Sequence, residues 1–248
     1  MSSKTENIYG IHAVESILRN NPEQVVRVWF QSDRKDKRMQ KLHDIAQSRG
    51  VSIELCSREA LQHKSPDSRH QGVVAQVRVF ERAASGLADL FGRERLLLLV
   101  LDGVEDPHNL GACLRSADAA GADAVMVSKN RSPGLTPVVR KVASGAAETT
   151  PLIQVSNLAQ ALQKLHDAGI WIIGAGGEAD SSIYDCGVSD RLAIVMGAEG
   201  EGMRRLTREL CDEVVSIPMR GQVESLNVSV ATGIFLFEFR RKQTLTLV

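Results

Sequence analysis

Three segments of the chain place small polar or charged side chains where an apolar strand gives way to a helix. One segment, 216–233, brings Ser225 and Asn227 to the start of an almost wholly apolar helix. The other two segments, 109–115 and 197–202, make similar joins earlier in the chain. Polar groups that converge beside so much apolar sequence are typical of a ligand site. The sequence therefore predicts one site that is assembled from three corners.

The glycine-rich segment 197–202 (Gly-Ala-Glu-Gly-Glu-Gly) has the composition of a ligand-binding loop. Gly197 and Gly200 have no side chain, so their backbone N–H groups can closely approach a ligand. Glu199 and Glu201 would repel a phosphate, which favours a neutral or cationic ligand. An ordinary glycine-rich turn is the alternative interpretation.

A second glycine-rich segment, 174–179, fits the letters GxGxxA and follows a predicted strand. A dinucleotide-binding loop must therefore be considered, and with it an NAD-dependent enzyme. The residues after it, 180–184, do not continue as an apolar-periodic helix, and the loop comes late in its domain. These features favour the edge of some other cofactor pocket.

The segment 106–115 predicts a turn followed by a helix. Asn109 is expected to be the N-cap, with Asp106 and Pro107 in the preceding turn. Arg115 lies on a helix of small apolar residues, where it would either pair with an acid or bind an anion. His108 is interpreted as a turn residue in preference to a catalyst.

Charge and cysteine content narrow the function classes. Lys plus Arg equals Asp plus Glu at 30 each, which argues against a coat of positive charge for nucleic acid. Local basic clusters at 34–41 and 204–208 still allow an RNA path. The four cysteines are far apart, so neither a zinc site nor a disulfide framework is expected. No apolar run could cross a membrane, and a cytoplasmic protein without metal is the expectation.

The order of apolar segments predicts an α/β protein with two domains. From Leu96 onward, short apolar strands alternate with helices, one of them expected at 136–147, which is typical of a parallel sheet covered on both faces. Ligands bind such sheets beyond the carboxyl ends of the strands, where all three corners lie. We predict a small α/β domain at 1–80, a linker at 81–95 and the sheet domain at 96–248.

The three corners resemble motifs 1, 2 and 3 of the SpoU/TrmH branch of the SPOUT RNA methyltransferases. They occur in the same order and at similar spacing across 96–241. Segments 8–14 and 70–75 resemble the substrate-binding domain of rRNA 2′-O-methyltransferases in that branch, which is similar to ribosomal protein L30e. The resemblance implies a C-terminal SPOUT parallel-sheet domain with a trefoil knot and an N-terminal L30e-like domain.

The resemblance also implies an activity. Members of the family transfer a methyl group from S-adenosylmethionine to a ribose 2′-hydroxyl, here expected in a specific guanosine of the P loop of 23S rRNA. They are homodimers that need no metal. The residues implied in cofactor binding are Gly174, Gly197, Gly200, Ile217, Met219 and Leu226.

Five residues are implied in catalysis by the same resemblance. Arg115 would bind the target phosphate and make the 2′-hydroxyl more acidic, since a guanidinium stays protonated in proteins. Asn109 and Glu199 would position Arg115 and the ribose, while Ser225 and Asn227 would hold the motif 3 backbone. The general base is left open between Arg115, His108 and water.

Two further functions remain open at this point. The first is a tRNA guanosine 2′-O-methyltransferase of the same branch, which the L30e-like segment at 8–80 disfavours. The second is an RNA-binding module without activity, which the presence of Asn109, Arg115 and Ser225 disfavours.

Overall fold

A computed structural model describes residues 5–34, 36–65, 70–78 and 86–245. The chain divides into two compact units. Unit 1 contains residues 1–82 and 135–149, and unit 2 contains residues 83–134 and 150–248. The predicted linker at 81–95 falls partly outside the described residues.

The elements up to residue 128 begin with a strand that the sequence did not predict. In chain order they are β1 (Thr5–Tyr9), α1 (Ile11–Asn20), β2 (Val25–Gln31), α2 (Lys37–Ser48), β3 (Ser52–Cys56), α3 (Arg58–Lys64), β4 (Val73–Arg78), α4 (Leu87–Phe91), β5 (Leu96–Asp102), α5 (Pro107–Ala119) and β6 (Ala124–Ser128). A single 3₁₀ turn, Pro22–Gln24, precedes β2.

The remaining elements complete the alternation of strands and helices. They are α6 (Pro137–Ala143), α7 (Ala146–Thr149), β7 (Leu152–Val155), α8 (Leu158–Asp167), β8 (Trp171–Ala175), β9 (Ser181–Ser182), β10 (Arg191–Gly197), α9 (Arg205–Glu209), β11 (Glu213–Ser216) and α10 (Val228–Leu245).

Unit 1 is built on a mixed sheet with the order β1-β4-β2-β3. Only the β2/β3 pair is parallel. The apolar sides of α1 and α2 cover one face, where Val14, Ile17 and Leu42 are fully buried. On the other face a smaller cluster joins Trp29 to Leu61 of α3. The small α/β unit predicted near the N-terminus therefore has a core of its own.

Residues 135–149 belong to unit 1. The prediction of a single helix at 136–147 is wrong. The helix breaks at Ser144 and Gly145, which both have positive φ, so α6 and α7 are separate. Arg140 of α6 forms ion pairs with Glu6 and Glu148. The break therefore places two short helices, instead of one long helix, in this unit.

Unit 2 is built on a seven-stranded sheet with the order β7-β6-β5-β10-β8-β11-β9, and every pair of neighbours is parallel. Leu96, Leu98 and Val100 face one layer with α8, so alternation turns Leu97 and Leu99 to the opposite face. All of β5 is buried. These features confirm the predicted parallel sheet with covered faces, and the trefoil knot stays a prediction.

Candidate active site

The three corners predicted from the sequence lie at one edge of the unit 2 sheet. Strands β5, β10, β8 and β11 are consecutive in the sheet and parallel, so their carboxyl ends share that edge. The segment 197–202 leaves β10 there and folds back, with paired backbone hydrogen bonds between Ala198 and Gly202. A Cβ on Gly197 would overlap backbone atoms of Gly202. This tight return therefore requires glycine at 197.

One hydrogen-bonded network joins all three corners. The Asn227 side-chain amide donates to Asn109 Oδ1 at 3.0 Å and to Glu199 Oε2 at 3.3 Å. The Asn109 amide also donates to Glu199 Oε2, at 3.4 Å. Asn227 Oδ1 in turn accepts from the backbone N–H and the hydroxyl of Ser229, at 2.9 and 2.6 Å. Residues that lie far apart in the sequence are therefore held as one polar group.

The predicted N-cap of α5 is wrong, and the correction explains why Asn109 is available for this network. Asp106 is the N-cap, and its carboxylate accepts from the backbone N–H groups of His108 and Asn109. Pro107 occupies the first helical position, where proline is favoured. The Asn109 side chain is thus freed from capping and turns to Glu199.

Beside the network lies a cavity of about 630 Å³, which we call the large cavity. Its walls come from the ends of β8, β10 and β11 and from the start of α10. The residues predicted for cofactor binding or catalysis that line it are Gly197, Glu199, Gly200, Ile217, Met219, Ser225 and Leu226. The volume lies within the usual range of small-molecule sites, about 300–1,000 Å³.

The lining of the large cavity suits a cationic ligand that also has an apolar part. Glu178, Glu199, Glu201 and Glu224 supply carboxylates, and none of the described residues that line the cavity is Lys or Arg. Met196 and Phe235 add apolar surface. Both features fit S-adenosylmethionine, which combines a sulfonium with an adenine ring.

Gly174 does not line the large cavity. It lies within β8, where a Cβ would come within 2.6 Å of Met203 Cε and 2.9 Å of Cys211 Sγ. Its missing side chain therefore leaves room for packing between β8 and the segment around α9. The residues that reach the cavity begin one position later, at Ala175.

Neither Arg115 nor His108 is among the residues that line the large cavity. Arg115 is exposed on α5, and it makes no hydrogen bond or ion pair with any residue that the structure describes. His108 is exposed, and its Nδ1 lies 3.4 Å from Asp106 Oδ1. The polar network within one chain therefore contains the side chains of Asn109, Glu199 and Asn227, but not that of Arg115.

A second cavity, of about 330 Å³, is also lined by residues of the 198–202 loop, and we call it the small cavity. The two cavities share Ala198, Glu199, Glu201, Gly202 and Val228. Asn109 lines only the small cavity, whereas Ser225 lines only the large one. Glu199 thus has access to two adjacent ligand-sized spaces.

A buried ion pair that sequence reasoning missed holds this loop against β5. Asp102, the last residue of β5, has a fully buried side chain. It accepts from Arg204 at three atoms, the backbone N at 3.0 Å, Nε at 2.6 Å and Nη2 at 2.6 Å. The sequence contained one signal for this residue, because Asp102 stands at the carboxyl end of a buried parallel strand, where ligand sites form.

Each arginine of the basic cluster at 204–208 pairs with a carboxylate, and the RNA path at this cluster stays a prediction. Arg204 pairs with Asp102, Arg205 with Glu209, and Arg208 with Glu178. In the other cluster, Arg34 and Lys41 also pair with acids, and Lys35 lies outside the described residues. Most of these charges are therefore neutralised by partners in the same unit.

The described residues contain neither a candidate metal cluster nor a candidate membrane span. No group of three or more His, Cys, Asp or Glu side chains in that part of the chain is arranged to hold a metal ion. None of the described helices combines the length and apolar character needed to cross a bilayer.

The parallel sheet, the glycine-rich return and the two cavities define an α/β protein with a cofactor site at the strand ends. The chain belongs to the SpoU rRNA Methylase family, whose pattern it matches over residues 96–237. Residues 7–83 match a second family, described as RNA 2′-O ribose methyltransferase substrate binding. These matches confirm the family resemblance seen in the motifs.

Curated relatives match along nearly the whole chain. A protein of Escherichia coli named 23S rRNA (guanosine-2′-O-)-methyltransferase RlmB is 53% identical over 242 residues, which cover 97% of this chain and 100% of that protein. The protein of the same name from Shewanella oneidensis is 52% identical, with 97% and 98% covered.

Solved structures share the fold. A crystal structure of an RNA 2′-O ribose methyltransferase is similar with a TM-score of 0.82 at 26% identity, covering 98% of this chain and 90% of that one. The SpoU methyltransferase AviRb from Streptomyces viridochromogenes, solved in complex with AdoMet, has a TM-score of 0.80 at 22% identity, with 97% and 91% covered.

Proposed function

We propose that the protein transfers a methyl group from S-adenosylmethionine to the ribose 2′-hydroxyl of a guanosine in 23S rRNA. Relatives more than half identical over nearly their whole length have that activity in their names. The main structural support for this proposal is the large cavity, which is lined by Glu199 of the Asn109–Glu199–Asn227 network at the strand ends. A substrate in ribosomal RNA implies a cytoplasmic site of action.

The large cavity would hold the cofactor. S-adenosylmethionine, when bound, supplies an electrophilic methyl group on a positively charged sulfur. Backbone groups at Gly197, Ile217 and Leu226 would bind its polar edges, while Met196 and Phe235 would contact its apolar surface. The carboxylates of this cavity would stabilise the positive charge.

The polar network would position the target ribose from the small cavity. Glu199 Oε2 already accepts from both Asn109 and Asn227, which fixes the carboxylate and leaves Oε1 to accept a hydrogen bond from the ribose. Since Glu199 lines both cavities, a hydroxyl bound to it would lie beside the cofactor site. Orientation of this kind is a large part of catalysis when reactants are bound side by side.

Arg115 would act in the site of a second subunit. The exposed apolar residues Val230 and Phe237 lie seven positions apart on α10, on one face of the helix, with exposures of 52% and 53%. We infer that this face joins two chains as a homodimer. The unpaired Arg115 of one chain would then reach the other chain's small cavity, where its charge would stabilise the developing 2′-alkoxide.

A subunit-mixing experiment tests the shared site. Arg115→Ala and Asn227→Ala are each expected to abolish methyl transfer. In a mixed dimer of the two variants, one site keeps Asn227 from one chain and receives Arg115 from the other. Random mixing of equal amounts makes half the dimers mixed, so roughly a quarter of wild-type activity should return. If each variant is inactive alone and their mixture recovers no activity, Arg115 acts in the site of its own chain.

Mapping the product tests the function itself. Purified protein, labelled S-adenosylmethionine and 23S rRNA should give a single 2′-O-methylguanosine, expected in the P loop, when the digest is analysed by mass spectrometry. Arg115→Ala should bind the cofactor in calorimetry with nearly unchanged affinity, because Arg115 lies outside the large cavity. Methylation of tRNA instead of rRNA would contradict the substrate, and absence of cofactor binding would contradict the function.

A further inference from the structure

The small cavity carries charges that the network and the fold do not use. Among its charged residues, Asp102 is neutralised by Arg204, Asp106 caps α5, and Glu199 is held by two amides. Glu105, Glu201 and Arg131 remain, and none of them makes a hydrogen bond or ion pair through its side chain with any described residue. Glu201 also lines the large cavity, so Glu105 and Arg131 are the unpaired charges that line the small cavity alone. An unpaired carboxylate and an unpaired guanidinium therefore line one cavity, each free to bind a ligand.

The position of these two residues places the ligand next to the methyl-transfer site. The small cavity shares Glu199 with the large cavity and is lined by Asn109 of the network. A ribose held at Glu199 would put its base farther into the small cavity, away from the cofactor. Val104 and Val228 supply apolar wall on which a flat ring can lie.

Guanine matches this pair of charges better than the other bases do. Its N1–H and N2 amino group are adjacent donors, which a carboxylate accepts in a bidentate manner. Its O6 and N7 are adjacent acceptors, for which Arg is the commonest protein partner. Adenine offers an acceptor at N1 and a donor at N6, so it would leave both side chains facing groups of the wrong kind.

We propose that the small cavity is the subsite for the target guanine, with Glu105 binding its N1–H and N2 amino group and Arg131 binding its O6 and N7. The enzyme reads an unstacked base here by its edges, as proteins generally read single-stranded RNA. Glu105 and Arg131 are specificity-determining residues that lie outside the motif residues implied in catalysis. The proposal depends on the proposed function.

The test uses synthetic RNA of the methylated region with the target nucleotide as guanosine, inosine or 7-deazaguanosine. Inosine lacks only the N2 amino group, and 7-deazaguanosine lacks only N7. Wild-type kcat/KM should fall about ten- to a hundredfold with inosine, the range expected for loss of a hydrogen bond to a charged group. Glu105→Gln should lower kcat/KM for guanosine by a similar factor and reduce the guanosine to inosine ratio to near one.

Arg131→Gln provides the second arm. It should lower kcat/KM for guanosine and remove the difference between guanosine and 7-deazaguanosine, while the guanosine to inosine ratio stays as in wild type. Glu94→Gln changes an exposed carboxylate outside both cavities and should change neither ratio. Cofactor affinity by calorimetry should be unchanged in all three variants.

The outcomes separate this inference from the proposed function. A wild-type enzyme that methylates guanosine while Glu105→Gln keeps the full guanosine to inosine ratio overturns the guanine subsite and leaves the function intact. A loss of the ratio in Glu201→Gln, with Glu105→Gln unaffected, overturns the assignment to Glu105. A wild-type protein without methyl transfer to any of the RNAs contradicts the function itself.

Discussion

Replacing Asp102 by Asn should destabilise unit 2 and loosen the loop between the two cavities. The Asp102 side chain is fully buried, and its hydrogen bonds with described residues all go to Arg204, whose side chain is 43% exposed. Asn keeps the shape of the residue but replaces one carboxylate oxygen by an NH₂ group, which cannot accept. The Arg204 guanidinium, itself a donor, would then face this NH₂ group in place of an accepting oxygen.

The expected loss in the free energy of unfolding is about 2–3 kcal/mol. A hydrogen bond to a charged group contributes about 1.5–3 kcal/mol, and removing one partner of a fully buried ion pair costs about 3–5 kcal/mol. The lower part of this range applies because water can reach the exposed portion of Arg204. For a unit of this size the corresponding fall in Tm is about 4–12 °C.

Urea and thermal unfolding would measure this change, and a neighbouring ion pair supplies the control. Arg205 and Glu209 form an exposed pair on α9, with 76% and 54% of their side chains accessible. Glu209→Gln should therefore change the free energy of unfolding by less than about 0.5 kcal/mol. Calorimetry should also show weaker S-adenosylmethionine binding for Asp102→Asn than for Glu209→Gln, since the 198–202 loop lines the cofactor cavity.

A combined variant separates the ion pair from the packing around it. If the loss of stability comes from the interaction with Arg204, Arg204→Gln should lower the free energy of unfolding much less in the Asp102→Asn protein than in the wild type. Additive losses, or an Asp102→Asn protein as stable as Glu209→Gln, would show that the pair does not hold the loop.

Three more variants and reagents test other features. Asp106→Ala should lower the free energy of unfolding, measured in urea, by about 0.5–2 kcal/mol, because α5 loses its cap. The backbone N–H of His108 holds the pKa of Asp106 below its usual value. The difference from wild type should therefore be present at neutral pH and vanish as pH falls through that lowered pKa. Gly197→Ala should abolish cofactor binding in calorimetry, because the loop has no room for a Cβ. Burial raises the pKa of Cys113 to about 11 and that of Cys211 to about 12, so both thiols should resist alkylation at pH 8 until urea unfolds the protein.

The sheet of unit 2 was predictable because its strands are short continuous apolar runs. Leu96–Asp102 is buried along its whole length, and such a strand can only lie between two covered faces. The corners after β5, β10 and β11 could be grouped for the same reason, since parallel strands end at a common edge. By contrast, β9 has two residues, Ser181 and Ser182, and carries no periodicity to recognise.

The details that escaped prediction depend on competition between similar residues or on distant partners. Asp106 and Asn109 are both good N-caps, and Pro107 at the first helical position was the sign that favoured Asp106. Ser144 adopts a left-handed conformation that serine seldom takes, and the Gly145 that follows it was the one sign of the break between α6 and α7. Arg204 looked like part of a surface cluster because its partner Asp102 lies far away in the sequence.

The order of the strands has a consequence for synthesis of the protein. β5 ends at residue 102, and one of its two neighbours, β10, begins only at residue 191. Until β10 has left the ribosome, the nascent chain exposes an unpaired edge of β5, a strand that is apolar up to Asp102, and such an edge can template aggregation. Chaperone protection during translation would therefore matter most in the interval before β10 emerges, when β5 still lacks this partner.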